Sequence, residues 1–388
     1  MKSIVIILRG CPIGCLGVYG NEWIATPNID GLVAEGTVYD RHYSDCPDPL
    51  AARRAWWGAD GADDPPKYLI RAHRPEHDAP PEYYAGWAEV FDARPGANPA
   101  EALDALLPGV LAKLAKYADW RLVIELDRLL PPWHASKELF AVYVEDLLDA
   151  DDVPRERDAG YEDDEEPAPR PEVEVPEPWI DPPVGWFDRD DFPSWELLHR
   201  TFATVVTSLD AELGWLFERF RESGFDDAAD WLVTADFGYP LGEHGIVGPF
   251  RPWLYEEFVH LPLIVRRAGG TDAGRRVEAI TQPQDLRAIL RGEAVPSHVA
   301  AITSLELNGS REIARRTAAE AILLPLDVPE DDDPRAPQFY LKPDDRWEAN
   351  DVRSEFLDRA EEIEAELREH ASLRYCEGDR ERGEQVTE

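Results

Sequence analysis

The chemistry-bearing residues of this chain are concentrated between Asp230 and Val265. Trp231 to Thr234 is a short apolar run with β-branched residues, and Asp236 follows directly after it. Gly238, Gly242 and Gly245 then enclose Glu243 and His244. Polar groups at the end of a buried strand, held by glycine turns, are where α/β proteins place ligands. Residue types alone favour a plainer account, with Asp236 capping a turn and His244 hydrogen-bonded beneath a loop. Three other pairs have ligand-like spacing. Cys11 with Cys15 and His42 with Cys46 could bind a soft metal, although buried thiols usually act as small hydrophobes. His73 and His77 have helical metal spacing, but Pro75 between them argues for a loop.

Order adds what residue type does not. Ala235-Asp236-Phe237-Gly238, Leu241-Gly242-Glu243-His244-Gly245, Tyr255-Glu256-Glu257 and the Leu261–Val265 run resemble a sulfatase signature in sequence and spacing. The opening is similar too, with Leu16-Gly17-Val18-Tyr19-Gly20-Asn21 and then Thr26-Pro27-Asn28-Ile29-Asp30. Sulfatases belong to the alkaline-phosphatase superfamily. The resemblance implies a mixed, mostly parallel central sheet flanked by helices, with a small C-terminal α+β subdomain. It also implies a calcium ion, a formylglycine nucleophile and sulfate-ester hydrolysis.

This chain departs from that pattern at the reacting centre. The family's metal-binding Asp pair falls on Arg9 and Gly10, and its second metal pair falls on Asp236 and Phe237. Calcium needs several oxygen ligands, so Asp236 is the one remnant ligand and no cofactor is expected. The formylglycine position is Leu50, with Ala52 in place of proline and Arg54 alone in register. Cys46 lies outside that motif. The family's lysine falls on Pro249, with Arg251 nearby as a substitute, and His134 is a shifted remnant of another histidine or a loop residue. Arg9, Arg54, His244 and Arg251 are therefore the remnant-site candidates. Arg9 either pairs with Asp236 and plugs the site, or points outward and leaves a basic cup open to sulfate.

Two functions follow. One is a catalytically degenerate sulfatase relative that binds an anion, a sulfated ligand or a protein partner. The other is an active sulfuric- or phosphoric-ester hydrolase with a remodelled site. Acidic and basic residues number 79 and 40, giving a formal charge of −39, which argues against nucleic acid and anionic membranes as partners. Four scattered cysteines make no disulfide framework, and the N-terminal apolar run is shorter than a signal core, so the expected location is cytoplasmic.

Several elements are expected to position these residues. Ile4 to Leu8 reads as the central strand, and Leu122 to Leu126 as another buried one. Thr26 and Pro27 start a short helix burying Ile29, Leu32 and Val33. Asn98 and Pro99 start a helix through Leu107 that continues past Pro108 to Tyr117. Residues 58–99 show no period before it. The spacing of Leu198, Phe202, Val205, Leu209, Leu213, Leu216 and Phe220 predicts a long helix over 194–224. The α/β domain is placed at 1–285, with an acidic, proline-rich loop at 149–178, and the small subdomain at 286–388. In the latter, 300–307, 321–326 and 337–341 read as strands. Asn350 or Ser354 caps a last helix with Phe356, Ala360, Ile363 and Leu367 on one face.

Overall fold

The computed structural model describes residues 1–57, 64–94, 100–148, 176–295, 298–327 and 335–384. Most of the acidic stretch and the Asn98–Pro99 helix start lie outside them. The strands are β1 (Lys2–Leu8), β2 (Thr37–His42), β3 (Lys67–Ala72), β4 (Glu89–Asp92), β5 (Trp120–Leu126), β6 (Gly185–Trp186), β7 (Asp230–Thr234), β8 (Ile246–Val247), β9 (Leu263–Arg266), β10 (Arg275–Thr281), β11 (Ala301–Leu307), β12 (Ser310–Arg316), β13 (Glu320–Asp327) and β14 (Gln338–Leu341). The helices are α1 (Pro27–Ala34), α2 (Pro49–Trp57), α3 (Pro81–Tyr84), α4 (Glu101–Leu114), α5 (Lys137–Leu148), α6 (Phe192–Glu222), α7 (Glu256–Val259), α8 (Leu286–Arg291) and α9 (Leu357–Glu384).

Among the described residues, eight strands form one sheet in the order β10-β2-β9-β7-β1-β5-β3-β4. All pairings are parallel except those of β9 with β2 and β7. β1 is central because both its faces are apolar. Ile4, Ile6 and Leu8 pack on the side of α1, α4 and α6, and Val5 and Ile7 pack on the side of α2 and α8. The 31-residue α6 starts where Asp191 accepts a hydrogen bond from the Ser194 amide. β11 to β14 form a separate antiparallel sheet, against which Ala360, Ile363 and Leu367 of α9 are buried. The mixed α/β architecture with a small C-terminal sheet is thus as expected.

Four local expectations need correcting. The region read as irregular contains β3 and β4, because Tyr68, Leu69 and Ile70 pair between β5 and the edge. β12 was absent from the expectation; its Arg315 and Arg316 are paired with acids rather than exposed to water. Thr26 does not cap α1 with its hydroxyl, which instead accepts from the Gly17 amide at 2.9 Å. The buried Asp210 of α6 takes that role, accepting from the Asn28 and Ile29 amides at 3.0 and 2.8 Å. The last helix begins at Leu357, beyond Asn350 and Ser354, and Phe356 just before it is exposed.

At the end of β2, His42 is fully buried with its Nδ1 3.0 Å from the Thr281 hydroxyl. Burial, aided by the nearby His260, lowers its pKa to about 3. A histidine held neutral in the fold stabilises fully above its unfolded pKa of about 6.5, and loses that contribution as pH falls. Burial lowers His199 as well, with the same sign. Between pH 6.5 and 5 the protein is therefore expected to lose roughly 2 kcal/mol through His42. Urea unfolding at pH 7, 6 and 5 checks this. His42→Phe should flatten the slope, and an unchanged slope would refute the assignment.

Candidate functional site

β1 and β7 are neighbours with Ile7 level with Thr234, so Arg9 and Asp236 emerge side by side at their C-terminal ends. Arg9 Nε donates to Asp236 Oδ2 at 2.9 Å, and both side chains are almost fully buried. Arg9 Nη1 donates to the His77 carbonyl at 2.9 Å. The other carboxylate oxygen, Oδ1, accepts from the Gly10 amide at 3.2 Å and the Phe237 amide at 3.0 Å. Arg9 thus plugs the strand ends instead of opening a cup. Two glycines make this approach possible. A Cβ on Gly238 would lie 1.9 Å from the Glu257 carbonyl, and Gly10 has φ +76° with Leu130 filling its side-chain space. Phe237 turns away to pack edge-on against Phe258.

A second charged layer lies beside the first. Arg53 grips Glu125 with two bonds, Nε to Oε1 at 3.0 Å and Nη2 to Oε2 at 2.7 Å. His73 Nε2 sits 3.1 Å from the same carboxylate. Burial alone would raise the Glu125 pKa, but Arg53 and His73 more than offset it and hold it well below the usual carboxylate range. Asp127, two residues on, takes His77 Nδ1 at 2.7 Å and the Arg74 amide and Nε at 3.0 Å each. It too is lowered, against its burial.

The expectation of Arg54 here is corrected. One helical residue is a rotation of about 100°, so Arg53 faces inward and Arg54 is exposed on the outer side of α2. Neither Leu50 nor the adjacent Pro49 carries a nucleophile. Sequence reasoning missed Arg53, Glu125 and Asp127. The signal was present: three charges in or beside apolar runs that have to be buried.

His244 lies apart from this layer. Its ring stacks on Tyr255 with centroids 3.6 Å apart. Nδ1 faces Glu257 Oε1 at 2.7 Å, and Nε2 faces the Glu348 carbonyl at 3.2 Å. Burial opposes its charged form, but the Glu257 carboxylate outweighs this and raises its pKa. Two acceptors on one ring suit the imidazolium. His244 borders a cavity of about 230 Å³ with Cys15, Phe202 and Glu243.

The remaining candidates are dispersed. Arg251 does not substitute for a lysine near Asp236. It donates to the Asn308 carbonyl at 3.2 Å and lies over Phe250 and Trp186, since the chain after Pro249 turns toward the C-terminal sheet. His134 is exposed. Cys11 and Cys15 are buried with their sulfurs 3.8 Å apart, while His42 and Cys46 do not join them.

No protein-family profile matches the chain. Comparison with solved structures finds the fold elsewhere. A phosphonate monoester hydrolase of Agrobacterium radiobacter superposes with a TM-score of 0.63 at 15% identity, covering 96% of this chain and 95% of that one. A protein in complex with its substrate D-glucosamine-2-N,6-O-disulfate gives 0.62 at 13% identity, covering 95% and 97%. A 2-O GAG sulfatase gives 0.60 at 13% identity, covering 97% and 93%.

The chain has the sulfatase fold.

One curated relative adds a sequence match, the N-acetylglucosamine-6-O-sulfatase of Bacteroides thetaiotaomicron, 30% identical over 103 residues. That stretch is 26% of this chain and only 18% of the relative. The sequence resemblance makes Asp236 the carboxylate expected to meet a divalent cation. Here one oxygen is taken by a guanidinium and the other by two amides, while Gly10 and Phe237 supply no side-chain donor. Among the described residues, no three His, Cys, Asp or Glu side chains converge as a metal site. The donor set around Asp236 does not fit calcium. Among the described residues, no helix is long and apolar enough to cross a membrane.

Proposed function

We propose that this chain is a non-hydrolytic sulfatase-fold protein that binds a small anionic or sulfated ligand and holds no calcium. The observation that carries the reading is the Arg9–Asp236 ion pair, which puts a fixed side chain where a Lewis acid would have to act. Ester hydrolysis in this fold needs a nucleophile, a polarising cation and charge stabilisation at the departing oxygen. Each is normally worth orders of magnitude in rate. Neither Leu50 nor Pro49 supplies a nucleophile. The name of the curated relative suggests a sulfated sugar as one ligand class. The charge of −39 argues against nucleic acid and anionic membranes as partners.

The test pairs calcium titration calorimetry with hydrolysis assays on aryl sulfates and phosphate mono- and diesters. The expected result is no micromolar calcium binding and no turnover above buffer. A micromolar calcium site or an esterase activity that disappears in Asp236→Ala overturns the proposal.

A further inference from the structure

Resting on the reading that the ligand is an anion, we propose that it binds away from the strand ends, in a cleft between the edge of the main sheet and the C-terminal sheet. The cleft has a volume of about 250 Å³, and Tyr19, Arg41, Tyr43, Arg276, Lys342 and Arg346 line it. Its ligand class is a sulfate or phosphate monoester on a small organic body.

The charges of the cleft decide this. Two carboxylates also line it, and both are already neutralised. Asp40 is held by Arg276, whose Nε lies 3.0 Å from Oδ1. Glu256 is held by Lys342 Nζ at 3.0 Å, His260 Nδ1 at 2.5 Å and Arg316 Nε at 3.2 Å. The other two cations differ. Arg41 Nη1 donates to the Glu278 carbonyl at 3.1 Å, and Arg346 Nη1 donates to the Tyr19 carbonyl at 2.8 Å. Among the described residues, neither guanidinium has a carboxylate partner. Two such groups on one cleft are unusual in a chain with twice as many acids as bases.

A guanidinium presents donors in a planar fork that matches the oxygens of sulfate and phosphate. Lys342 is engaged by Glu256 and Glu348, so the two arginines carry the attraction, and Tyr19 and Tyr43 also line the space. The volume is at the small end for ligand pockets, which limits the organic body to little more than one ring. The two competing places are poorer. At Asp236 the charge of Arg9 is already met by a carboxylate, and the cavity beside His244 presents Glu243 and Glu257 to any anion.

Titration calorimetry with inorganic sulfate, inorganic phosphate and phenyl phosphate tests the site. Arg41→Gln and Arg346→Gln are each expected to weaken binding about tenfold or more, and the double variant to abolish it. Arg54→Gln removes an exposed charge of the same kind and is expected to bind normally. A ligand-induced rise in the thermal midpoint, lost in the double variant although it still unfolds cooperatively, is a second readout. Binding that survives the double variant overturns this site and leaves the anion reading standing. No binding of any probe to the natural protein overturns both. Ester turnover with binding still dependent on Arg41 and Arg346 overturns the non-hydrolytic reading alone.

Discussion

Asp236→Ala should destabilise the protein by roughly 3–5 kcal/mol, whereas Arg9→Met combined with Asp236→Leu should cost much less. The single substitution leaves a guanidinium buried at the end of β1 with only the His77 carbonyl to meet it, and it frees the Gly10 and Phe237 amides. An unpaired buried charge costs more than the pair gains, so removing both members relieves most of the penalty. Urea unfolding of the two single variants and the double gives the coupling directly. Additive losses would show that Arg9 and Asp236 act independently, contrary to the 2.9 Å contact. Arg9→Lys is not expected to rescue, because an ammonium cannot serve the carboxylate and the carbonyl with the same fork.

The seam between the two sheets carries the second large effect. Arg316 of β12 is almost fully buried and bonds Glu348 with Nε at 2.9 Å and Nη2 at 2.6 Å. Its Nε also reaches Glu256 of α7 at 3.2 Å, and its Nη2 donates to the Leu254 carbonyl. Arg316→Met leaves Glu348 and Glu256 to Lys342, 3.2 and 3.0 Å away, with His260 as a further partner for Glu256 alone. The expected loss is again about 3–5 kcal/mol. Limited proteolysis is expected to cut first in the C-terminal sheet, since these contacts tie β12 to the main body. A loss below about 1 kcal/mol would mean that the seam rests on apolar packing instead.

The parts legible in the sequence were those whose cause is local. β1, β5 and β7 are short runs apolar on both faces, and α6 repeats its large residues every three or four positions. That the ends of β1 and β7 lie together was also legible, but pairing of Arg9 with Asp236 and an outward Arg9 were both compatible with it. The rest depends on partners distant in sequence. β12 reads Ser-Arg-Glu-Ile-Ala-Arg-Arg, and only the acids at positions 256, 320 and 348 make it compatible with burial. Arg53 and Arg54 are adjacent and chemically identical, and the rotation of α2 that separates them is set by Glu125, 72 residues away. His73 and His77 looked like a local pair. Each instead serves a different carboxylate of the β5 end.

The Arg9–Asp236 contact also bears on how this fold answers to its surroundings. A carboxylate that recruits a free ion ties stability to that ion's concentration by mass action, and a chelator can then unfold the protein. Asp236 meets a charge carried on the same polypeptide, at an effective concentration fixed by the pairing of β1 with β7. On the proposed calcium-free reading, ion scarcity and chelators have no hold on that carboxylate. Its partner is inherited with the chain, and it is in place as soon as the two strands have joined.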